Sequence, residues 1–318
     1  MEENSGTSAG HQLGQIVGNW YERHIALPII ESVAERLDLY CDSRFKNRSC
    51  RGEKIIWTDA EANEVDYDFV LELEGSTDHK GLPVAFFETA WRRGSRHSKD
   101  KARDDSGKLV GMRDAYPTAR HLGMVVAGEF TQPAQTLVRS RGIDLFYISK
   151  DRIVDAWKEN GIQIDYPDSE SEIKKRKIVD LAMKKIESNP DLLQKIASTV
   201  FKKIGKAEIN AFESRVAGKI GATPQTYEVR LINTQTRKFI EHAQVESFLQ
   251  SNEPADSELS SERTYGYEVV FGDGDIFARD GLLWSDIFQL HKSLDSLVFH
   301  MNELLENRNK STKKLKTK

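Results

Sequence analysis

The chain has 318 residues, which fits two domains at about 150 residues each, and its 38% hydrophobic and 30% charged residues are typical of a folded protein. Its 46 basic and 50 acidic residues give a net charge of −4, which excludes a uniformly basic nucleic-acid-binding protein and leaves that role to local patches. No apolar run approaches the roughly 20 residues that cross a bilayer, and the polar N-terminus is unlike a signal peptide. Two cysteines are too few for a disulfide framework or a four-ligand zinc site. We therefore expect a soluble, cytoplasmic protein.

The N-terminal half alternates predicted strands with predicted helices. Residues 12–39 have apolar side chains at helical spacing, and Pro28 is expected to break or kink this helix. Residues 65–73 alternate between polar and apolar side chains, which predicts a strand. Short apolar runs predict further strands at 54–57, 83–88, 122–127 and 143–148, and helices are expected at 95–108, 133–141 and 152–159. This order favours an α/β domain with a mixed sheet over residues 1–168.

The C-terminal half changes composition after Tyr166. Residues 169–222 are charged and predict a helical segment. Residues 223–318 predict a small α+β domain, with strands at 227–232 and 265–271 and a helix at 284–305. A loop rich in Ser, Glu and Asp is expected at 251–262, and a basic, disordered tail at 308–318.

Two carboxylates stand out in the N-terminal half. Asp68 lies in the alternating run, on the same strand face as Asp66 and Glu72. Glu88 ends the next predicted strand, 20 residues after Asp68. If the two strands are neighbours, Asp68 and Glu88 meet and can bind Mg²⁺, which prefers oxygen ligands. Such an ion activates a water molecule and stabilises a phosphoryl oxyanion. A solvated strand face is the alternative interpretation.

A basic stretch follows Glu88 directly. Between residues 92 and 103 there is one acid, Asp100, among many basic side chains. We expect this stretch to contact nucleic-acid phosphates next to the metal, although a merely charged helix face would have the same composition. The residues proposed for nucleic-acid binding are Arg92, Arg93, Arg96, Lys101 and Arg103.

These motifs resemble the PD-(D/E)xK nuclease superfamily, and in particular the nuclease segment of type I restriction motor subunits. The matching residues are Asp68 with the apolar strand up to Gly75, and then Leu82-Pro83 with the apolar strand that ends in Glu88. The match covers residues 12–160, about half of the chain. The resemblance implies a restriction-endonuclease-like fold, Mg²⁺ held by Asp68 and Glu88, and a further acidic ligand in the first helix, for which Glu22 is the candidate.

The chain departs from the family pattern at one catalytic position. The family has a lysine two residues after the Glu, where this chain has Ala90. Some members take the equivalent cation from a neighbouring helix, which makes Lys99 the first candidate, followed by Lys101 and Arg92.

The resemblance implies a Mg²⁺-dependent DNA endonuclease in restriction or anti-phage defence, with the C-terminal part serving target recognition or homodimer formation. The alternatives are a noncatalytic nucleic-acid-binding or assembly protein on the same fold, and a scaffold that contacts other proteins.

Overall fold

The computed structural model describes residues 8–231, 236–251 and 265–316. The helices are α1 (Ala9–Tyr21), α2 (Leu27–Leu37), α3 (Ser98–Ala115), α4 (Gln132–Ser140), α5 (Lys150–Glu159), α6 (Glu172–Ser188), α7 (Leu192–Ile204), α8 (Lys206–Ile220), α9 (His242–Ser251) and α10 (Trp284–Lys316). The strands are β1 (Tyr40–Ser43), β2 (Ile55–Thr58), β3 (Glu64–Tyr67), β4 (Phe69–Leu73), β5 (Leu82–Arg92), β6 (His121–Gly128), β7 (Asp144–Ser149), β8 (Pro224–Arg230), β9 (Thr236–Phe239), β10 (Tyr265–Phe271) and β11 (Ile276–Leu282). The loop predicted at 251–262 lies outside the described residues beyond Ser251.

The first helical stretch is continuous across Pro28. A π turn at Glu22–Ala26 connects α1 to α2. Proline donates no backbone hydrogen bond, and its ring clashes with the carbonyl four residues earlier in a regular α-helix. The wider π turn directly before Pro28 accommodates both effects, so the kink expected from the sequence takes the form of a π turn and the helix does not end there.

A five-stranded mixed sheet flanked by helices forms the N-terminal architecture. Its strand order is β1-β4-β5-β6-β7. The β1–β4 pair is antiparallel and the β6–β7 pair is parallel. All of β4 and β6 is buried, as is β5 from Pro83 to Ala90. The α/β class and the mixed sheet expected from the sequence are therefore confirmed.

The segment predicted as one strand over residues 65–73 consists of two strands. β3 pairs with β2 in a separate two-stranded sheet, whereas β4 belongs to the five-stranded sheet. Asp68 is the single bend residue between them. The expected alternation therefore stops at Asp68, because the two ends of the segment hydrogen-bond to different partner strands.

The next strand is longer than the sequence predicted. β5 continues to Arg92, four residues past Glu88, so Glu88 lies inside the strand rather than at its end. Side chains alternate along a strand, which places Glu88, Ala90 and Arg92 on one face of β5.

The C-terminal part contains a four-stranded antiparallel sheet in the order β11-β10-β8-β9. Its core includes Val229, Tyr267, Phe271 and Ile287, which are at most 3% exposed. α10 extends to Lys316 and so includes most of the tail predicted to be disordered. Apolar residues at helical spacing pack into the core up to Met301 and stabilise the first part of α10. The Lys- and Glu-rich residues that follow have high helix propensity and can continue the helix.

Contacts group the chain into two compact units. The first is made of Met1–Val33, Phe87–Gly107 and Gly123–Ser214, and the second of Ala34–Phe86, Lys108–Leu122 and Arg215–Lys318.

In the part of the chain that the structure describes, no helix combines the length and apolarity that a membrane span requires. Cys41 is buried, Cys50 is half-buried, and no disulfide joins them.

Candidate active site

Asp68 borders a wide polar cleft of the second unit. The cleft has a volume of about 740 Å³ and is lined by two chain segments. The residues of the first segment are Arg44, Lys46, Asn47, Arg48, Arg51, Gly52, Glu53, Lys54 and Ile55, and those of the second are Asp66, Tyr67 and Asp68. Asp68 is half-buried. A carboxylate at the edge of a water-filled cleft can reach a bound ion or substrate.

Asp66 has a structural role at the edge of the cleft. Its Oδ1 accepts a hydrogen bond from the backbone N–H of Ile55 at 3.0 Å. This bond ties β3 to the start of β2, alongside the Ile56–Asp66 pair of the two-stranded sheet. Asp66 is therefore held in place by the two-stranded sheet.

Two buried arginines fix the segment that lines the cleft. Arg48 Nη1 lies 2.7 Å from Asp42 Oδ2 and 2.7 Å from Glu72 Oε1. Arg51 Nη2 donates to Asp42 Oδ1 at 2.7 Å and to the carbonyl oxygens of Ser43 and Lys46. Burial alone would lower the pKa of Arg48, but its hydrogen bonds to Glu72 and Asp42 outweigh burial and raise that pKa.

Glu88 is a buried carboxylate in the first unit. It is 2% exposed and lies in β5 among Phe86, Phe87 and Ala90, which are at most 6% exposed. Burying a carboxylate is costly unless it is paired or coordinates a metal. A buried carboxylate on a sheet strand is a residue of the type from which oxygen-ligand metal sites are built, which keeps Glu88 as a candidate functional group.

Arg92 lies on the same face of β5 as Glu88. It is half-buried, and within the described residues its Nε is buried and has no hydrogen-bond partner. Ala90, at the family's lysine position, is 6% exposed and has no polar group. Arg92 therefore supplies the cation of this strand face.

Glu22 opens the π turn between α1 and α2. It is 8% exposed. π turns occur often at functional sites because they interrupt the regular helical hydrogen bonding. Glu22 therefore has the low exposure and the position that we expect of a functional acid in the first helix.

Half of the six Arg and Lys residues in the basic stretch after Glu88 are paired with acids. Arg93 Nη2 donates to Asp168 at 2.7 Å, and its guanidinium lies 4.2 Å from the centroid of the Tyr166 ring. Lys101 Nζ contacts Asp105 at 2.8 Å, and Arg103 contacts Asp100 and Asp104 at 3.5 and 3.2 Å. The acids that follow residue 103 therefore offset part of the positive charge predicted for this stretch.

Arg96 and Lys99 are different from these paired cations. Both are exposed, and neither forms an ion pair with any residue that the structure describes. Lys99 lies in the first turn of α3, and Arg96 lies in the 3₁₀ turn Ser95–His97 just before it. These two side chains remain available for a phosphate.

The predicted site residues belong to both units. Glu22, Glu88 and Lys99 lie in the first unit and Asp68 in the second. Over residues 8–231, 236–251 and 265–316, no group of three or more His, Cys, Asp or Glu side chains has the arrangement of a metal site.

The sequence analysis missed the basic residues of the cleft. Five of the eleven residues between 44 and 54 are Arg or Lys, and one is acidic. The stretch from residue 92 to 103 is only slightly denser, with six Arg or Lys among twelve residues, so local charge density was the signal that could have identified the basic residues of the cleft.

The chain matches no family model, no curated protein and no solved structure.

Proposed function

We propose that the protein is a metal-dependent endonuclease that hydrolyses phosphodiester bonds of DNA, with Asp68 and Glu88 as the metal ligands. The observation that carries the proposal is the strand order. β4, which begins directly after Asp68, is the sheet neighbour of β5, which carries the buried Glu88. The resemblance to the PD-(D/E)xK nucleases requires two acids on neighbouring strands.

The donor chemistry of these residues suits Mg²⁺. This ion binds oxygen ligands, keeps several waters, and usually takes one or two carboxylates together with substrate phosphates. Asp68 and Glu88 would supply such a pair of carboxylates. When bound, Mg²⁺ would lower the pKa of a water molecule and polarise a phosphoryl oxygen. The role of Glu22 would then be to orient water or a metal-bound group rather than to coordinate the ion.

The remaining charged residues would position the substrate. Lys99 and Arg96 are exposed and would contact the phosphate backbone, while Arg92 would stabilise negative charge on the face of β5 that carries Glu88. The resemblance extends this proposal to restriction or anti-phage defence and to homodimer formation, which double-strand cutting commonly requires.

A noncatalytic nucleic-acid-binding protein is the second candidate. The specific observation in its favour is Ala90, a buried methyl group where the family has a lysine. Such a protein would bind DNA with the cations described above and would leave the phosphodiester bonds intact.

A plasmid-cleavage assay separates the two candidates. The purified full chain is incubated with supercoiled plasmid in Mg²⁺ or in EDTA, and Asp68→Asn, Glu88→Gln and the exposed-site control Glu187→Gln are compared. We expect Mg²⁺-dependent cutting that each site variant reduces at least about a hundredfold and that the control preserves. DNA binding without cutting in Mg²⁺ or Mn²⁺ would favour the noncatalytic candidate and reject the nuclease.

A further inference from the structure

The cleft next to Asp68 combines two kinds of charge from two chain segments. The segment from residue 44 to 54 contributes five basic side chains and one acid, Glu53, whereas the second segment contributes Asp66 and Asp68. Basic groups bind phosphate oxygens, and carboxylates bind the metal that acts on them. The cleft therefore has the two kinds of groups that a phosphodiester substrate requires.

We propose that this cleft binds the phosphodiester backbone of a nucleic acid, and that residues 44–54 rather than the stretch after Glu88 are its main contact. The proposal rests on the proposed function for the identity of the polyanion, but it does not require that the bound strand is cut.

The cations of this segment divide into buried and exposed groups. The side chains of Arg48 and Arg51 are 0% and 6% exposed, and they are neutralised by Asp42 and Glu72. Arg44 and Lys54 are exposed. In the described parts of the chain, Lys54 has no ion-pair partner. Arg44 and Lys54 are therefore the side chains that a phosphate in the cleft would meet.

The buried arginines hold this segment in one conformation. Arg51 Nη2 donates to the carbonyl oxygens of Ser43 at 2.9 Å and Lys46 at 3.1 Å. Arg48 Nη2 donates to the carbonyl oxygen of His79 at 2.5 Å. Lys46 Nζ donates to the carbonyl oxygen of Cys41 at 3.0 Å. A segment ordered before binding loses little conformational entropy when the ligand arrives.

The described residues that line the cleft offer no exposed aromatic ring on which bases can stack. Of the described residues that line it, Tyr67 is the one aromatic residue. Its side chain is 3% exposed, and its hydroxyl donates to the carbonyl oxygen of Lys108 at 2.8 Å. Single-strand binders gain much of their affinity from base stacking on exposed aromatic rings. The cleft would therefore contact phosphates and bind with little preference for base sequence.

Fluorescence anisotropy with a labelled 20-base-pair DNA duplex in EDTA tests the proposal without cleavage. The double variant Arg44→Ala/Lys54→Ala is compared with the wild type and with Lys177→Ala/Lys184→Ala, which removes two exposed lysines of α6. Each lost phosphate contact should lower the slope of log affinity against log salt by about 0.9. We expect the cleft variant to bind at least about tenfold more weakly at 100 mM salt, with the slope lowered by about 2.

The control variant should bind within about twofold of the wild type, and a duplex of different sequence within about threefold. Thermal unfolding of each variant, expected to match the wild type because the replaced side chains are exposed, checks the fold. Unchanged affinity in the cleft variant, or an equal loss in the control, overturns the proposal even if the protein cuts plasmid. Weakened binding in a protein that does not cut would support the cleft and reject the nuclease.

Discussion

Arg48 and Glu72 form a buried ion pair with two parallel contacts. Nη1 lies 2.7 Å from Oε1 and Nη2 lies 3.1 Å from Oε2, and both side chains are fully buried. Glu72 lies on β4 and faces Tyr40 of β1 across the antiparallel pair. The ion pair therefore connects the sheet to the segment that lines the cleft.

Replacing Arg48 with Met should strongly destabilise the protein. The change leaves Glu72 buried with no cation and Asp42 with Arg51 alone. Breaking a buried pair by removing one partner costs about 3–5 kcal/mol. Urea unfolding followed by circular dichroism measures the free energy of unfolding. Lys46→Met is the control, with an expected loss of about 1 kcal/mol, because it removes a part-buried hydrogen bond to the carbonyl oxygen of Cys41 and a contact with the Tyr40 ring. A loss in Arg48→Met no larger than in this control would show that the pair is dispensable.

Arg92 and Lys99 are alternative sources of the missing catalytic cation. Arg92 lies on the same face of β5 as Glu88, whereas Lys99 is exposed on α3. We expect Arg92→Gln to lower kcat at least about a hundredfold with little change in KM, and Lys99→Gln to raise KM and leave kcat within about threefold. Steady-state cleavage of a fluorescent duplex separates the two constants. If Lys99→Gln lowers kcat and Arg92→Gln only raises KM, the catalytic cation is Lys99 rather than Arg92.

The C-terminal core contains a stacked pair of histidines that should make stability pH-dependent. The rings of His242 and His291 lie 3.7 Å apart at 12°. Tyr267 Oη lies 2.7 Å from His291 Nδ1, and Asp295 lies 3.1 Å from His242 Nε2. Burial and the charge of His242 lower the pKa of His291 to about 3. Burial also lowers the pKa of His242, although the charge of Asp295 opposes this.

The sign of this effect follows from the lowered pKa of His291. The unfolded chain takes up a proton near pH 6.5, whereas the folded state resists protonation down to about pH 3. The stabilisation is therefore complete above pH 6.5 and is lost as the pH falls below it. We expect the free energy of unfolding to fall by about 2 kcal/mol between pH 7 and pH 5. In His291→Gln this decrease should be at least halved, and an unchanged pH slope in that variant would contradict the assignment.

Gly128 is required where β6 passes the end of β5. Its φ is +95°, and a Cβ at this position would lie 2.0 Å from the carbonyl oxygen of Arg92. Gly128→Ala should destabilise the protein by about 2 kcal/mol or more, because it combines an unfavourable backbone conformation with a clash. Gly14→Ala is the matched control, because it lies in α1 with open space around it and should stabilise the helix by about 0.5–1 kcal/mol. Differential scanning calorimetry of both variants measures the difference, and a Gly128→Ala Tm equal to the wild type would exclude the clash.

Local sequence patterns predicted most secondary structure elements but not their partners. The apolar runs at 122–127 and 143–148 correspond to β6 and β7. The alternation at 65–73 predicted one strand where the structure has two. Periodicity indicates which side chains are buried, but it does not indicate which strand is the hydrogen-bonding partner. The bend at Asp68 arises because β3 and β4 pair with different sheets.

Charge patterns were similarly incomplete. The basic residues after Glu88 appeared unopposed when only Asp100 was counted, but Arg93 pairs with Asp168, 75 residues away. The basic residues at 44–54 were almost as dense in the sequence. Which of these basic side chains are buried in ion pairs depends on Asp42 and Glu72, because the sheet places these two acids next to Arg48.

The sequence by itself determined the α/β class, most of the helices and strands, and the two carboxylates around which a hydrolytic site is proposed, because these follow from side-chain periodicity and residue chemistry along the chain. It did not predict β1, β9, β11 or α9. The tertiary structure decided which strands are neighbours, which charges are neutralised, and where Asp68 meets a cleft. These properties depend on residues far apart in the chain, whose contacts are selected by the packing of the whole core and leave no local pattern to read.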